Sequence, residues 1–148
     1  MNYESYLKQI AEKIKEQAEV WNIEYDNTMT EQMWDDVIEI LRDLGFKVIE
    51  KYETKRYYEL TEYGLVEMWD LECEENLLDH LKSSGYELYT SVEGFYIENL
   101  YSDLYEIYYR YEERFKRLYV IIVCKRDYYN DSFPNIYDFV CLAHIDLP

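Results

Sequence analysis

The chain has 148 residues, 49% of them hydrophobic, with 32 acidic against 15 basic side chains and a formal charge of −17. That length and apolar content are enough for one sizeable core, and they exclude a charged chain too polar to fold. The charge itself excludes ordinary duplex binding, which needs a basic footprint to displace counterions.

In chain order, residues 3–22 read as an amphipathic helix, because Tyr3, Leu7, Ile10, Ile14, Ala18 and Trp21 recur at helical spacing among Glu, Lys and Gln. A polar stretch from Asn22 to Thr30 leads to a second helix. Thr30 is placed to cap it, Met33, Trp34, Val37, Ile38, Leu41 and Leu44 form its apolar face, and Gly45 sits at its C-terminal cap position. Phe46 to Tyr52 and Arg56 to Leu60 read as two strands around a turn near Glu53-Thr54. Residues 66–83 return to helical spacing with Val66, Trp69, Leu77, Leu78 and Leu81, and stop at Gly85. Tyr86 to Val92 and Phe95 to Leu100 suggest a hairpin about Glu93-Gly94.

Residues 102–117 carry two patterns. Leu104, Ile107, Tyr108, Tyr111 and Phe115 fit one helical face, whereas Tyr105, Ile107, Tyr109 and Tyr111 alternate as in a strand. Ser102 as a cap and the pairs Glu106/Arg110, Glu112/Lys116 and Glu113/Arg117 favour the helix. Leu118 to Lys125 is the most strand-like segment, with Phe139 to Ile145 its partner across the loop 127–136. The expected fold class is α+β: N-terminal helices with a small hairpin, then a helix and a C-terminal antiparallel sheet. Residues 1–148 are read as a single domain, subdivided into a helical, wing-like part (1–64) and an α+β part (65–148).

Three cysteines (Cys73, Cys124 and Cys141) are an odd number without CxxC spacing, and the last two lie in apolar runs where Cys acts as a small buried hydrophobe. The opening residues lack a basic n-region followed by an apolar run, and the longest apolar run, Leu118 to Cys124, is too short to span a bilayer. A soluble cytoplasmic protein is expected.

The negative charge is unevenly distributed. From Tyr57 to Tyr109 Lys82 is the only base against thirteen acids, Glu16 to Leu41 has eight acids and no base, and residues 110–148 balance six acids with six bases. A solvated helix face that aids solubility accounts for part of this. Self-repulsion opposes compaction, however, so charge concentrated on one side points to a basic partner. The expected partner-binding face comprises Glu59, Glu62, Glu67, Asp70, Glu72, Glu74, Glu75 and Asp79, and secondarily Asp35, Asp36 and Glu39. Within it, Glu67, Asp70 and Glu74 would line one side of a helix, with steps of roughly 4.5–6 Å. Nineteen tyrosines are the second outlier. Tyr suits both cores and interfaces, since a large apolar ring carries a polar tip on few torsions. Tyr128 and Tyr129, in a polar loop, are the candidate exposed contacts.

The stretch Leu41-Arg42-Asp43-Leu44-Gly45-Phe46 through Tyr57-Tyr58-Glu59-Leu60-Thr61-Glu62-Tyr63-Gly64 resembles the wing of winged-helix transcription regulators: a helix ending in Leu-Gly, a strand, a basic turn, then Tyr-x-Leu-Thr and a Gly. It departs from that pattern in having one helix before the reading helix. That helix also carries Glu31, Asp35, Asp36, Glu39 and Asp43 against Arg42, which would repel a groove. By composition and size the whole chain resembles small acidic phage-encoded inhibitors of the anti-CRISPR and anti-restriction class, whose nucleic-acid mimics occupy the basic channel of a nuclease. That resemblance implies a protein partner and no direct DNA contact.

Catalytic constellations are poorly supported. Cys73 and His80 lie two helical turns apart, but Glu72, Glu74, Glu75 and Asp79 surround them and would raise the thiol pKa rather than lower it. His144 sits on a strand-like run, at a sheet edge or end. An Asp43…Glu53-Thr54-Lys55 nuclease pattern would place Glu53 at a turn. Asp35/Asp36/Glu39 lacks the glycine-bearing loop of an EF-hand, and GxGxxG, P-loop, HExxH and GxSxG motifs are missing. The expectation is therefore a non-enzymatic inhibitor without metal or cofactor. A degenerate winged-helix regulator or antitoxin using Lys47, Lys51, Lys55 and Arg56 is the alternative, and a small enzyme the third reading.

Overall fold

The computed structural model describes residues 3–24, 30–52, 57–61, 64–68, 81–129 and 136–148. Helix α1 spans Glu4–Glu24 and buries Leu7, Ile10, Ile14, Ala18 and Trp21, the stripe expected from its spacing. Helix α2 spans Thr30–Asp43 and buries Met33, Trp34, Val37, Ile38 and Leu41. It ends where Gly45 adopts φ 98°, with Phe46 N–H donating to the Leu41 carbonyl (2.9 Å) and Gly45 N–H to that of Arg42 (3.0 Å). This pair of hydrogen bonds satisfies two carbonyls the helix would leave open, and glycine takes the left-handed conformation there without the steric cost of a Cβ. The stretch Leu81-Lys82-Ser83-Ser84-Gly85-Tyr86 repeats the device: Tyr86 N–H bonds the Leu81 carbonyl, Gly85 N–H that of Lys82, and Gly85 has φ 86°. Each cap feeds its chain into an edge strand of the main sheet.

Five strands form that sheet: β1 (Lys47–Tyr52), β4 (Glu87–Ile97), β5 (Tyr101–Glu112), β6 (Arg117–Tyr128) and β7 (Ile136–Asp146), in the order β1-β7-β6-β5-β4, every pairing antiparallel. Strands β2 (Tyr57–Thr61) and β3 (Gly64–Met68) pair separately as a two-stranded ribbon. The architecture is α+β. One sheet face packs against both helices through Phe46, Phe95, Tyr105, Ile107, Leu118, Val120, Ile122, Cys124, Cys141 and Ala143. On the other face Tyr108, Ile121, Val123 and Val140 are also buried, as are Leu81 and Tyr86. Strand β6 is thus covered on both sides, so its sequence reads as a continuous apolar run rather than an alternation.

Four expectations are corrected. Residues 102–117 are not a helix: β5 pairs with β6 over twelve consecutive residues, from Tyr101↔Tyr128 to Glu112↔Arg117. The period-two pattern prevails because Tyr105 and Ile107 enter the core while Tyr109 and Tyr111 meet the ring of Tyr3 at 5.7 and 4.8 Å. Helical ion pairs worth about 0.2–0.5 kcal/mol each cannot compete with that burial. Arg110 instead lies between the rings of Tyr86 and Tyr119, and Arg117 pairs with Asp146. Second, Glu93-Gly94 is a bulge inside β4, and the hairpin turns further on, where Asn99 takes φ 66°. Third, β1 and β2 do not pair; β1 joins β7 and β2 joins β3, so the wing-like hairpin is not formed. Fourth, the segment read as a helix over 66–83 begins inside β3, with helical backbone described at 81–83 and residues 69–80 outside the described set. The expected pairing of Leu118–Lys125 with Phe139–Ile145 is present as β6–β7.

Two charges lie inside the helix-facing side. Arg126 Nε donates to Asp103 Oδ1 at 2.8 Å and Nη2 to Oδ2 at 3.1 Å, with side chains 5% and 1% exposed. The guanidinium lies 4.0 Å from the centroid of the Tyr101 ring. The forked geometry satisfies both carboxylate oxygens, a condition for such a pair to be tolerated without water. Asp103→Ala should destabilise the protein by about 3–5 kcal/mol in urea unfolding, because it leaves a buried guanidinium without its counter-charge. The double change Asp103→Leu/Arg126→Met should recover most of that loss; a double variant as unstable as the single one would refute this account.

Candidate functional site

Helix α2 owes its acidic surface to its own amphipathicity. With positions 33, 34, 37, 38 and 41 buried, Asp35, Glu39 and Asp43 fall every fourth residue on the exposed side, with Arg42 also exposed. Their spacing corresponds to a rise of about 6 Å per step. Asp36, also on the expected face, is half-buried and bonded within the protein. Its Oδ2 accepts from Trp21 Nε1 at 2.8 Å and its Oδ1 from Gln32 at 2.9 Å, so it ties α2 to α1. On α1, Glu12 and Glu16 sit 4.0 and 3.8 Å from Lys8 and Lys13 in exposed pairs, which contribute little to stability.

The chief acidic stretch is only partly described. Glu59 lies in β2 opposite Val66, and Glu67 lies in β3 opposite Tyr58. Glu67 therefore does not start the helical line with Asp70 and Glu74. Glu62, Asp70, Glu72, Glu74, Glu75 and Asp79 fall outside the described residues, as do Cys73, His80 and the Glu53-Thr54-Lys55 turn. Tyr128 belongs to β6, paired with Tyr101, rather than to a loop. Tyr129, just past the strand, is 55% exposed, and its N–H bonds the Leu100 carbonyl at 3.1 Å.

A groove of about 910 Å³ runs between α1 and edge strand β4 and continues onto the ends of β5 and β6. Sequence reasoning missed it, because it exists only where β4 is the outermost strand. Glu12, Lys15 and Glu19 line it from α1, Glu93 and Tyr96 from β4, and Ser102, Asp127 and Tyr129 from the β5–β6 end. The wall is held by Asn22, whose Nδ2 donates to the Gly94 carbonyl and whose Oδ1 accepts from Tyr96 N–H, both at 3.2 Å. One side-chain amide thus substitutes for a neighbouring strand at the bulge, closing part of an edge that would otherwise be open to pairing. Beneath, a Cβ at Gly94 would stand 2.6 Å from the Tyr105 ring, so the close approach of β4 to the core requires glycine there.

Other thiol, phenol and imidazole groups are buried or half-buried in the sheet. Cys124 and Cys141 are buried free thiols. Burial raises the Tyr105 phenol well above its usual value. His144 is half-buried on β7, its ring 5.8 Å from Tyr119, with Nδ1 enclosed and lacking a hydrogen-bond partner among the described residues. Among the described residues no group of three or more His, Cys, Asp or Glu is arranged to hold a metal, and no helix is long and apolar enough to cross a membrane. Comparison with protein-family models, curated proteins and solved structures gives no match.

Desolvation holds the His144 pKa below its ordinary 6.5, reinforced by the charges of Arg117 and Lys47 and opposed by Asp146. Below about pH 6.5 the unfolded chain takes up a proton that the folded one resists, so this site loses stability as pH falls toward the folded value. Between pH 7.5 and 5.5 the urea midpoint of the wild type should fall further than that of His144→Gln. Equal falls would remove His144 from the pH response.

Proposed function

We propose that the chain is an acidic protein-binding inhibitor that occupies the basic nucleic-acid-binding surface of a nuclease or other defence protein, acting by steric and electrostatic competition. The carrying observation is the exposed row Asp35, Glu39 and Asp43 on α2. Steps of about 6 Å approach two phosphate intervals of about 3.4 Å each, so the row can answer Lys and Arg side chains that otherwise track a nucleic-acid strand. The same row would repel DNA. The overall charge of −17 adds long-range steering toward a basic surface. Exposed tyrosines such as Tyr96 and Tyr129 supply aromatic anchors of the kind that set affinity within a charged rim. A partner of this type places the chain in the cytoplasm of the cell where that partner works.

A mobility-shift panel of purified RNA-guided and restriction nucleases tests the proposal. The chain alone should leave DNA unshifted at low salt and should abolish the shift made by its target. Affinity for that target should fall steeply between about 50 and 500 mM salt, because exposed charges are screened within about 10 Å at 0.1 M. Neutralising the row (Asp35→Asn, Glu39→Gln, Asp43→Asn) should weaken binding about tenfold, three exposed ion pairs at about 0.5 kcal/mol each amounting to that factor. Salt-independent affinity would overturn the proposal, and a DNA shift by the chain alone would favour the regulator reading instead.

A further inference from the structure

The main chain of β4 offers a binding edge. Strand β4 is outermost in the main sheet, so β5 pairs with one of its edges and the other has no neighbouring strand. Register shifts between Leu88/Thr90 and Glu93/Tyr96 bound a regular stretch, Thr90 to Glu93. Successive residues of an antiparallel strand turn their N–H and C=O groups to alternate edges, so about four main-chain groups of this stretch face away from β5. Among the described residues nothing bonds them there. Thr90 to Gly94 line the groove in unbroken succession, residues of both strand faces together, as happens where a groove follows an edge rather than a face.

Asn22 gives a second, independent indication. Its side-chain amide accepts from Tyr96 N–H and donates to the Gly94 carbonyl, the donor and acceptor pattern that a neighbouring strand would supply. These bonds come from the groove side and stop at the bulge. Beyond them the groove turns onto an outer row in which Tyr96 neighbours Ser102 and Ser102 neighbours Asp127. In the other direction, toward Thr90, α1 borders the groove with the small side chains of Ala11 and Ala18. From Ala11 to Asn22 that wall runs about 16 Å, the reach of about five extended residues.

We infer that the groove receives an extended segment of the partner protein, which adds to β4 as a further strand along Thr90 to Glu93. The choice of occupant rests on the reading of a basic protein partner. An added strand alternates its side chains between two faces. On the α1 side they meet Ala11 and Ala18, with Lys15 set between Glu12 and Glu19, a nearly balanced wall that suits small uncharged residues. On the other side they lie beside the exposed Ser91 and Glu93, where β4 contributes no cation to the groove. Opposite charges pair favourably across adjacent strands, so Lys or Arg belongs on that side. The occupant is a segment in which Lys or Arg alternates with small apolar residues. Main-chain bonds give it affinity and the alternation gives it specificity.

Fluorescence anisotropy with the labelled peptide Lys-Val-Lys-Val-Lys-Val at low salt tests the assignment. Two analogues of identical charge, N-methylated on every lysine or on every valine, block one or the other main-chain edge of the peptide. One should bind as the parent does and the other about tenfold more weakly, because a single edge of an added strand meets β4. Hydrogen exchange at the β4 amides between Thr90 and Glu93 should slow when the parent is bound. Lys15→Trp, an exposed change that fills the groove, should weaken the parent by a similar factor, although removing a cation would by charge alone strengthen it. Analogues equal to one another, whether both bind or both fail, overturn strand addition, and so does β4 exchange unmoved by the peptide. A chain that fails here yet passes the mobility-shift panel keeps the acidic-inhibitor reading; failure in that panel with unequal analogues here does the reverse.

Discussion

A forked ion pair shut inside the protein sets the register on which the other features depend. Asp103 and Arg126 face one another across β5 and β6. In a strand pair, a slip of one residue turns every side chain to the opposite face. Such a slip here would strand one charge in the helix-facing core while its partner moved to the far side, a strongly unfavourable separation. With the pair in place, Tyr105 lies under Gly94 and within 5.9 Å of Trp21, so the second half of α1 has a seat on the sheet. The next residue of α1, Asn22, then reaches the β4 edge. The outer row of Tyr96, Ser102 and Asp127 is aligned by the same register.

The division of charge follows from the same packing. Both helices bury their apolar stripes against one sheet face, and their described carboxylates stay in water, where self-repulsion is weakest, except Asp36, partly withdrawn to bond the indole of Trp21. The tyrosines serve both ends: Tyr101 and Tyr105 are buried, whereas Tyr96 and Tyr129 are exposed beside the groove.

The two helices were legible because each is a local object. Their stripes at three and four residues, and the glycine that stops α2, are written in contiguous sequence, and Leu7 to Trp21 and Met33 to Leu41 are buried as that pattern requires. Strand β6 was legible because burial on both faces leaves a run of apolar residues that few other structures tolerate. Residues 102–117 were not, because tyrosines and charges there satisfy two periods at once and only the β6 ladder decides between them. The basic turn at 53–56 suggested a hairpin for the same reason: adjacency in sequence suggests pairing, while β1 finds β7 almost a hundred residues away.

What the sequence alone determined is the sign and unevenness of the charge, the helix stripes and their caps, the apolar central strand and the α+β class, all properties of short windows. Tertiary structure decided which strands are neighbours, that Asp103 is buried and paired while Asp35, Glu39 and Asp43 stay exposed, and that Tyr96, Ser102 and Asp127 share a row. Those three residues come from three strands, and cross-strand register is a long-range property that no local pattern encodes.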